Sequence, residues 1–257
     1  MRKFAIVTGA STGIGLEIAK LAAADGYDLL IAADEPMVDA GAALRQSGVE
    51  VRSVEADLAT GQGVKRLLDA TNGRAVDVLI ANAGTGKGGA FIDQDVTHWR
   101  RTLDTNVTGT LLLLQPILNA MVARGEGRVM ITGSIAGYIP GPFNSVYNAT
   151  KAFIDSFAAA ISNELKDTGV TITCLKPGAT ETPFFERAGM LDTKIGQSSK
   201  ADPADTARTG WEAMLKGEAE VVDGLINKVQ VLAAGLLPEA VTAKMHRKLA
   251  EPGSGNA

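Results

Sequence analysis

Short apolar runs alternate with longer helical stretches along most of the chain, and that alternation constrains the fold more than any other feature of the sequence. Phe4–Val7, Leu29–Ala32, Val49–Val54, Val76–Ala81, Arg128–Thr132 and Val170–Leu175 have the length and apolar character of strands. Between them, Gly13–Ala24 sets Ile14, Ile18, Leu21 and Ala22 at helical spacing. Residues 37–46, 63–70, 95–104, 106–124 and 147–166 also read as helices. Short strands buried on both faces and separated by helices predict a parallel sheet. Right-handed crossovers then give a doubly wound α/β fold of three layers, with helices on both faces of the sheet.

The last third is less regular. Residues 177–200 mix Gly, Pro, Thr and Ser with isolated aromatics and read as a loop with short helices. Asp205–Lys216 reads as a helix, Glu220–Asp223 could add a strand, and Leu225–Leu237 is rich in apolar residues. The tail, Glu251–Ala257, has the composition of a mobile end. No repeat and no linker divides the chain, so one core is expected over residues 1–257. With 46% hydrophobic and 21% charged residues, the chain is excluded from the disordered class.

Composition also narrows function. The single Cys174 excludes an internal disulfide, and with two histidines no metal site is expected. In its strand, Cys174 suits a small buried residue better than a nucleophile. Net charge −4 argues against general nucleic-acid binding. The apolar stretch after Arg2 and Lys3 is too short for a secretory leader. No run of about 18 apolar residues predicts a membrane span. A soluble, cytoplasmic protein is the expectation.

The first strand runs into Thr8-Gly9-Ala10-Ser11-Thr12-Gly13-Ile14-Gly15 and then a helix. Glycines here permit a tight turn and close approach to a pyrophosphate, which the helix N-terminus attracts. Asp34 follows the second strand, 19 residues beyond Gly15, where an acidic residue binds adenosine ribose hydroxyls. These features specify the Rossmann form of the doubly wound fold. Between Lys20 and Arg45 there is no basic residue, whereas Asp25, Asp28, Asp34, Glu35 and Asp39 are all acidic. A 2′-phosphate would meet repulsion there, so NAD is expected over NADP. The competing reading is a solvated acidic surface beside an unrelated turn.

Asn82-Ala83-Gly84, Ser134, Tyr147-Asn148-Ala149-Thr150-Lys151 and Pro177-Gly178 follow in order. With the glycine turn, this set resembles the short-chain dehydrogenase/reductase family, over residues 1 to about 185. Tyr147 and Lys151 are four apart and share a helix face. An ammonium nearby lowers a phenol's pKa, which suits Tyr147 to exchange a proton with an alcohol or carbonyl oxygen. Ser134 follows the fifth strand, at the sheet edge where ligands bind, and its hydroxyl can polarise the same oxygen. The resemblance implies that Lys151 also binds the nicotinamide ribose, and that Asn106 holds a water in the proton relay. Asn106 equally suits a helix cap before Val107.

The resemblance further implies that the cofactor site draws on Gly9, Ser11, Thr12, Gly13, Ile14, Gly15, Asp34, Asp57, Leu58, Asn82, Ala83, Gly84, Tyr147, Lys151, Pro177, Gly178, Thr180 and Thr182. Asn82-Ala83-Gly84 also reads as a structural turn, and Asp57 as a solvated turn residue. His98 and His246 carry no spacing signal and fall on expected surface helices.

Ile135, Phe143, Phe184, Phe185 and Met190, opposite Gly88, Gly89 and Ala90, are candidates for the substrate pocket. They are apolar and offer no fixed charge, which predicts a hydrophobic secondary alcohol or ketone. Residues 183–200 form the expected lid, and 201–250 the variable C-terminal region. The apolar stretch Val221–Leu237 suits packing over the pocket or against a second subunit. A membrane surface is the alternative, but Lys228 as the one basic flank within the stretch suits anionic lipid poorly. The resemblance places a subunit interface on the helices beginning near Asn106 and Tyr147, in a homodimer or homotetramer. Rival functions are an NADP-dependent carbonyl reductase, an epimerase or dehydratase using the same Tyr–Lys pair, and a non-catalytic dinucleotide-binding sensor.

Overall fold

The computed structural model describes residues 2–256. The first half contains β1 (Phe4–Thr8), α1 (Gly13–Ala24), β2 (Asp28–Ala33), α2 (Val38–Arg45), β3 (Val51–Glu55), α3 (Gly61–Asp69) and β4 (Val78–Ala81). Then come α4 (Val96–Leu103), α5 (Thr110–Arg124), β5 (Gly127–Thr132), α6 (Ser145–Glu164) and β6 (Val170–Lys176). The last part holds α7 (Phe184–Arg187), α8 (Lys194–Gln197), α9 (Pro203–Lys216), β7 (Glu220–Val222), α10 (Leu225–Leu236) and α11 (Glu239–Ala250).

All seven strands are parallel, in the order β3-β2-β1-β4-β5-β6-β7. The order reverses between β1 and β4, and a crevice for ligands opens at the carboxyl ends there. Alternation along each strand divides the core between the two faces. On one face Ile6, Leu30, Leu79 and Ile131 meet Leu67 of α3, Leu113 of α5 and Ile154 of α6. On the other, Val7, Ile31, Ile80 and Met130 meet Ile18 of α1, Leu44 of α2 and Trp211 of α9.

Local sequence sets the element ends. Asp202 caps α9 by accepting the Ala204 N–H at 2.7 Å, and Pro203 occupies the first turn. Gly217, in the left-handed region at φ 73°, ends that helix.

Three expectations need correction. Residues 95–104 and 106–124 are not two helices: α4 runs into α5 through a π-helical turn at Asp104–Gly109. By length and composition 96–124 would suffice to cross a membrane. Here Leu113, Leu114, Ile117 and Met121 bury its inner side in the core. The tail is tied down rather than loose. The Gly253 N–H donates to the Asp192 carboxylate at 2.7 Å, the Gly255 N–H to the Asp192 carbonyl at 2.9 Å, and the Lys194 N–H to the Ser254 hydroxyl at 3.0 Å. Finally, α11 is not a surface helix throughout, because Thr242, His246 and Ala250 are buried.

Candidate active site

The crevice at the sheet's reversal is a cavity of about 380 Å³. Gly9 and Gly13 take positive φ, 66° and 59°, to turn the chain from β1 into α1. Gly15 lies so close to this turn that a Cβ there would sit 2.1 Å from the Gly9 carbonyl oxygen. Gly15 therefore packs the helix onto the loop, while Gly9, Ser11, Thr12, Gly13 and Ile14 line the cavity. The Thr8 hydroxyl accepts the N–H groups of Asn82 and Ala83, both at 3.0 Å, and donates to the Ile80 carbonyl at 3.1 Å. Asn82 Nδ2 donates back to the Thr8 carbonyl at 3.1 Å, and Thr132 donates to Asn82 Oδ1 at 3.1 Å. Asn82 thus fastens the ends of β1, β4 and β5 together while lining the cavity with Ala83 and Gly84.

Asp34, Asp57 and Leu58 line the far end, and a residue the local charge reading did not include lies between the two carboxylates. Arg101, from α4, donates to Asp34 Oδ2 at 2.9 Å and to Asp57 Oδ2 at 2.9 Å. Burial raises the Asp57 pKa, but bonds from Arg101 and the Ala59 N–H outweigh it and hold the carboxyl below its usual range. Glu35 bonds to Ser11 and, at 2.7 Å, to Arg187 of α7, which together lower its pKa. The acidic end of the cavity therefore has two guanidinium partners, both far from it in sequence.

At the other end Ser134, Tyr147 and Lys151 face the same space. Ser134 caps a 3₁₀ turn, accepting the Ala136 N–H at 3.1 Å, and a bond to its hydroxyl favours the Tyr147 phenolate. Burial nevertheless dominates and pushes the Tyr147 phenol up to about 12, opposite to the lowering that spacing to Lys151 predicts. Lys151 Nζ lies 5.7 Å from the Tyr147 ring centre and donates to the Thr132 carbonyl at 2.7 Å. Burial also pushes the Lys151 ammonium's pKa down.

Asn106 lies behind this group, in the π-helical turn, so it is no helix cap. Its Oδ1 accepts the Thr85 N–H at 2.8 Å, and its Nδ2 donates to the Thr85 carbonyl and the Thr150 hydroxyl, each at 2.9 Å. A π turn widens the helix by one residue and so redirects the side chain toward α6. Asn106 does not line the cavity itself.

Ile135, Phe184, Phe185 and Met190 form an apolar wall, with Phe184 4.9 Å from the Tyr147 ring. Phe143 is not part of the wall: with φ 64° it turns its ring toward Arg247, outside the cavity. Gly88 backs Met190 and bonds to the Ala188 carbonyl at 2.9 Å, and Gly89 bonds to the Phe143 carbonyl, so this loop supports residues 188–190 from behind. Pro177, Gly178, Thr180 and Thr182 line the floor. Thr182 lies against Gly13, where a Cβ would meet its methyl at 2.7 Å, so the segment after β6 packs onto the glycine turn.

The sequence matches the family model described as short chain dehydrogenase over residues 3–190. The chain belongs to that family. Among its relatives is an uncharacterised oxidoreductase of Staphylococcus saprophyticus, 32% identical over 219 residues, covering 82% of this chain and 91% of the relative. A short-chain dehydrogenase from Sphingobium yanoikuyae, solved in complex with NADPH, is similar in structure with a TM-score of 0.79 and 27% identity. That alignment covers 91% of this chain and 94% of the other. A short-chain dehydrogenase/reductase from Burkholderia phymatum, solved with NAD, shares the fold at a TM-score of 0.81 and 23% identity, over 90% and 92% of the chains.

This short-chain dehydrogenase also builds its cavity from residues no motif marks. Val231 and Ala234 of α10, and His246 and Leu249 of α11, close one side of it. His246, expected on a surface, is buried with Nδ1 3.1 Å from the Pro142 carbonyl, and burial lowers its pKa. The buried cluster of Phe185, Ala188, Met190 and Ala250 joins the segment around α7 to α11. The one signal in the sequence for these residues is the apolar character of 225–237.

Proposed function

We propose that this oxidoreductase interconverts a hydrophobic secondary alcohol and a ketone, using a nicotinamide dinucleotide with NAD as the preferred form. The observation that carries the proposal is the convergence of Ser134, Tyr147 and Lys151 on a cavity walled by Ile135, Phe184, Phe185 and Met190. When bound, the dinucleotide supplies the hydride chemistry. Gly9, Ser11, Thr12, Gly13 and Ile14 would hold its pyrophosphate, and Asp34 its adenosine ribose. Tyr147 holds the proton exchanged with the substrate oxygen, Ser134 orients that oxygen, and Lys151 supports the phenol's charge as it changes. Burial keeps the phenol protonated at rest, which suits donation to a carbonyl. Asn106 acts from behind, through Thr85 and Thr150. The protein works as one domain, with residues 183–200 as lid and 201–250 as the variable region, in a homodimer or homotetramer in the cytoplasm.

Arg101 supports a second reading, in which NADP is used. Its guanidinium, 2.9 Å from Asp34, removes part of the repulsion a 2′-phosphate would meet and offers that phosphate a partner. Three carboxylates, Asp34, Glu35 and Asp57, still outnumber Arg101 and Arg187, which favours NAD.

A screen of hydrophobic and charged alcohols and ketones, followed by NADH and NADPH fluorescence, tests both readings. NADH-linked turnover of hydrophobic ketones is expected, with Tyr147→Phe losing about a hundredfold or more in rate and keeping cofactor affinity. Turnover confined to charged hydroxy acids, or unchanged in Tyr147→Phe, would overturn the proposal. Preference for NADPH would select the second reading.

A further inference from the structure

The outer side of α10 has no partner among the described residues. Leu225, Val229, Leu232 and Leu236 recur at helical spacing on one face, with Leu232 71% and Leu236 86% exposed. Asn227, Val231 and Ala234 take the opposite face, where Asn227 meets Gly178 and the other two line the cavity. The helix is therefore one layer thick between the substrate cavity and the outside, and its outer face is apolar. Of the twenty exposed large apolar side chains among the described residues, nine fall between 225 and 249, and all of these but Leu249 lie outside the cavity. This is a patch rather than a scatter of single residues.

Charge says what covers it. Arg247 is paired with Glu251 at 2.9 Å, which leaves Lys228, Lys244 and Lys248 against Glu239 along 225–251, in a chain of net charge −4. On α11, Lys244 and Lys248 run beside exposed Val241 and Met245, while Thr242, His246 and Ala250 hold the helix to the body. An apolar stripe edged by cations, on a helix anchored by its other side, is the pattern of an element lying in a lipid interface. A second copy fits less well, because a two-fold contact through this face sets its cations against themselves. The uncharged face of α6 is also better suited to pairing.

We infer that α10 and α11 dock on an anionic lipid surface, with the α10 wall of the substrate cavity turned toward the bilayer. The helices lie in the headgroup region and do not span. Apolar residues supply the insertion, and the cations supply preference for negative lipid.

Flotation of the full chain with vesicles tests this, using phosphatidylcholine alone and an equal mixture of phosphatidylcholine and phosphatidylglycerol. The protein is expected to float with the mixed vesicles, less with the neutral ones, and less again in high salt. Leu232→Ser with Leu236→Ser, both on the exposed face, should abolish flotation while the thermal melt is unchanged. Lys244→Glu with Lys248→Glu should remove the preference for the anionic mixture. No flotation of the unmodified protein, or flotation that neither pair alters, would overturn the inference. So would a fall in oligomer mass in the serine pair with no lipid binding by the parent, which would make the face a subunit interface.

Discussion

Arg101 sets how much negative charge a cofactor would feel at the adenosine end. Without its bonds to them, Asp34 and Asp57 would face the cavity uncompensated. Replacing it by Gln removes a cation and leaves a polar side chain. Titration calorimetry with ADP-ribose and with 2′-phospho-ADP-ribose should then show a selective loss. The phosphorylated ligand is expected to weaken by about tenfold more than the other, as for one charged hydrogen bond worth roughly 1.4 kcal/mol. Equal losses would assign Arg101 to bracing the two loops alone.

Asp155 is the other residue whose chemistry no motif announces. It lies one helical turn beyond Lys151, under the loop that carries Ser134. A Cβ at Gly137 would meet its Oδ2 at 2.7 Å, and the Cys174 thiol approaches Oδ1 at 3.5 Å. Burial raises the Asp155 pKa to about 6, against the opposing charges of Lys176 and Lys151. The sign follows from linkage: a raised acid favours the folded state while protonated, and that advantage is lost as pH rises from about 4 through about 6. Asp155→Asn should therefore gain stability on the parent between pH 4 and pH 7, by about 2–3 kcal/mol. Chemical denaturation across that range measures it, and a constant difference would rule the account out.

Among elements, what the sequence made legible follows the range of the interactions that set it. Strands and helices of the first 176 residues rest on periodicity and caps, which are local, so their existence could be read directly. The junction of α4 and α5 could not. Asp104–Gly109 has the polar composition of a break, yet its backbone continues as a π turn. Asn106 finds its partners in Thr85 and Thr150, 21 and 44 residues away. The tail misled for the same reason. Its Gly and Ser residues suit a loose end, but the contacts that hold it come from Asp192 and Lys194. The irregular segment 183–200 could be placed after β6 from the sequence. Its fastening to Glu35 through Arg187, 152 residues apart, was not legible there.

At the scale of the whole molecule, motifs carried the glycine turn and the Ser–Tyr–Lys group because each needs a fixed residue at a fixed backbone position. The cation at the adenosine end and the α10–α11 wall need only reach, so many sequences satisfy them and none is diagnostic. The same distinction bears on assembly. One long helix presents an outer face without charge: Ala149, Ala152, Phe153, Ser156, Ala159 and Ala160 of α6 are all exposed. Phe153 stacks on Phe157 at 6.0 Å, and Leu112 of α5 is also exposed. Small side chains let two helices approach closely, and a shared aromatic gives the contact an anchor. Self-association through α5 and α6 is therefore expected, and light scattering on a sizing column should give the mass of a dimer or tetramer. Phe153→Asp sets like charges against each other across a two-fold contact and should lower that mass to the next smaller species. Because Phe153 is exposed in the single chain, its substitution should leave the thermal melt of the monomer nearly unaltered. An unchanged mass in Phe153→Asp would move the interface elsewhere, and a monomer in the parent protein would remove it altogether.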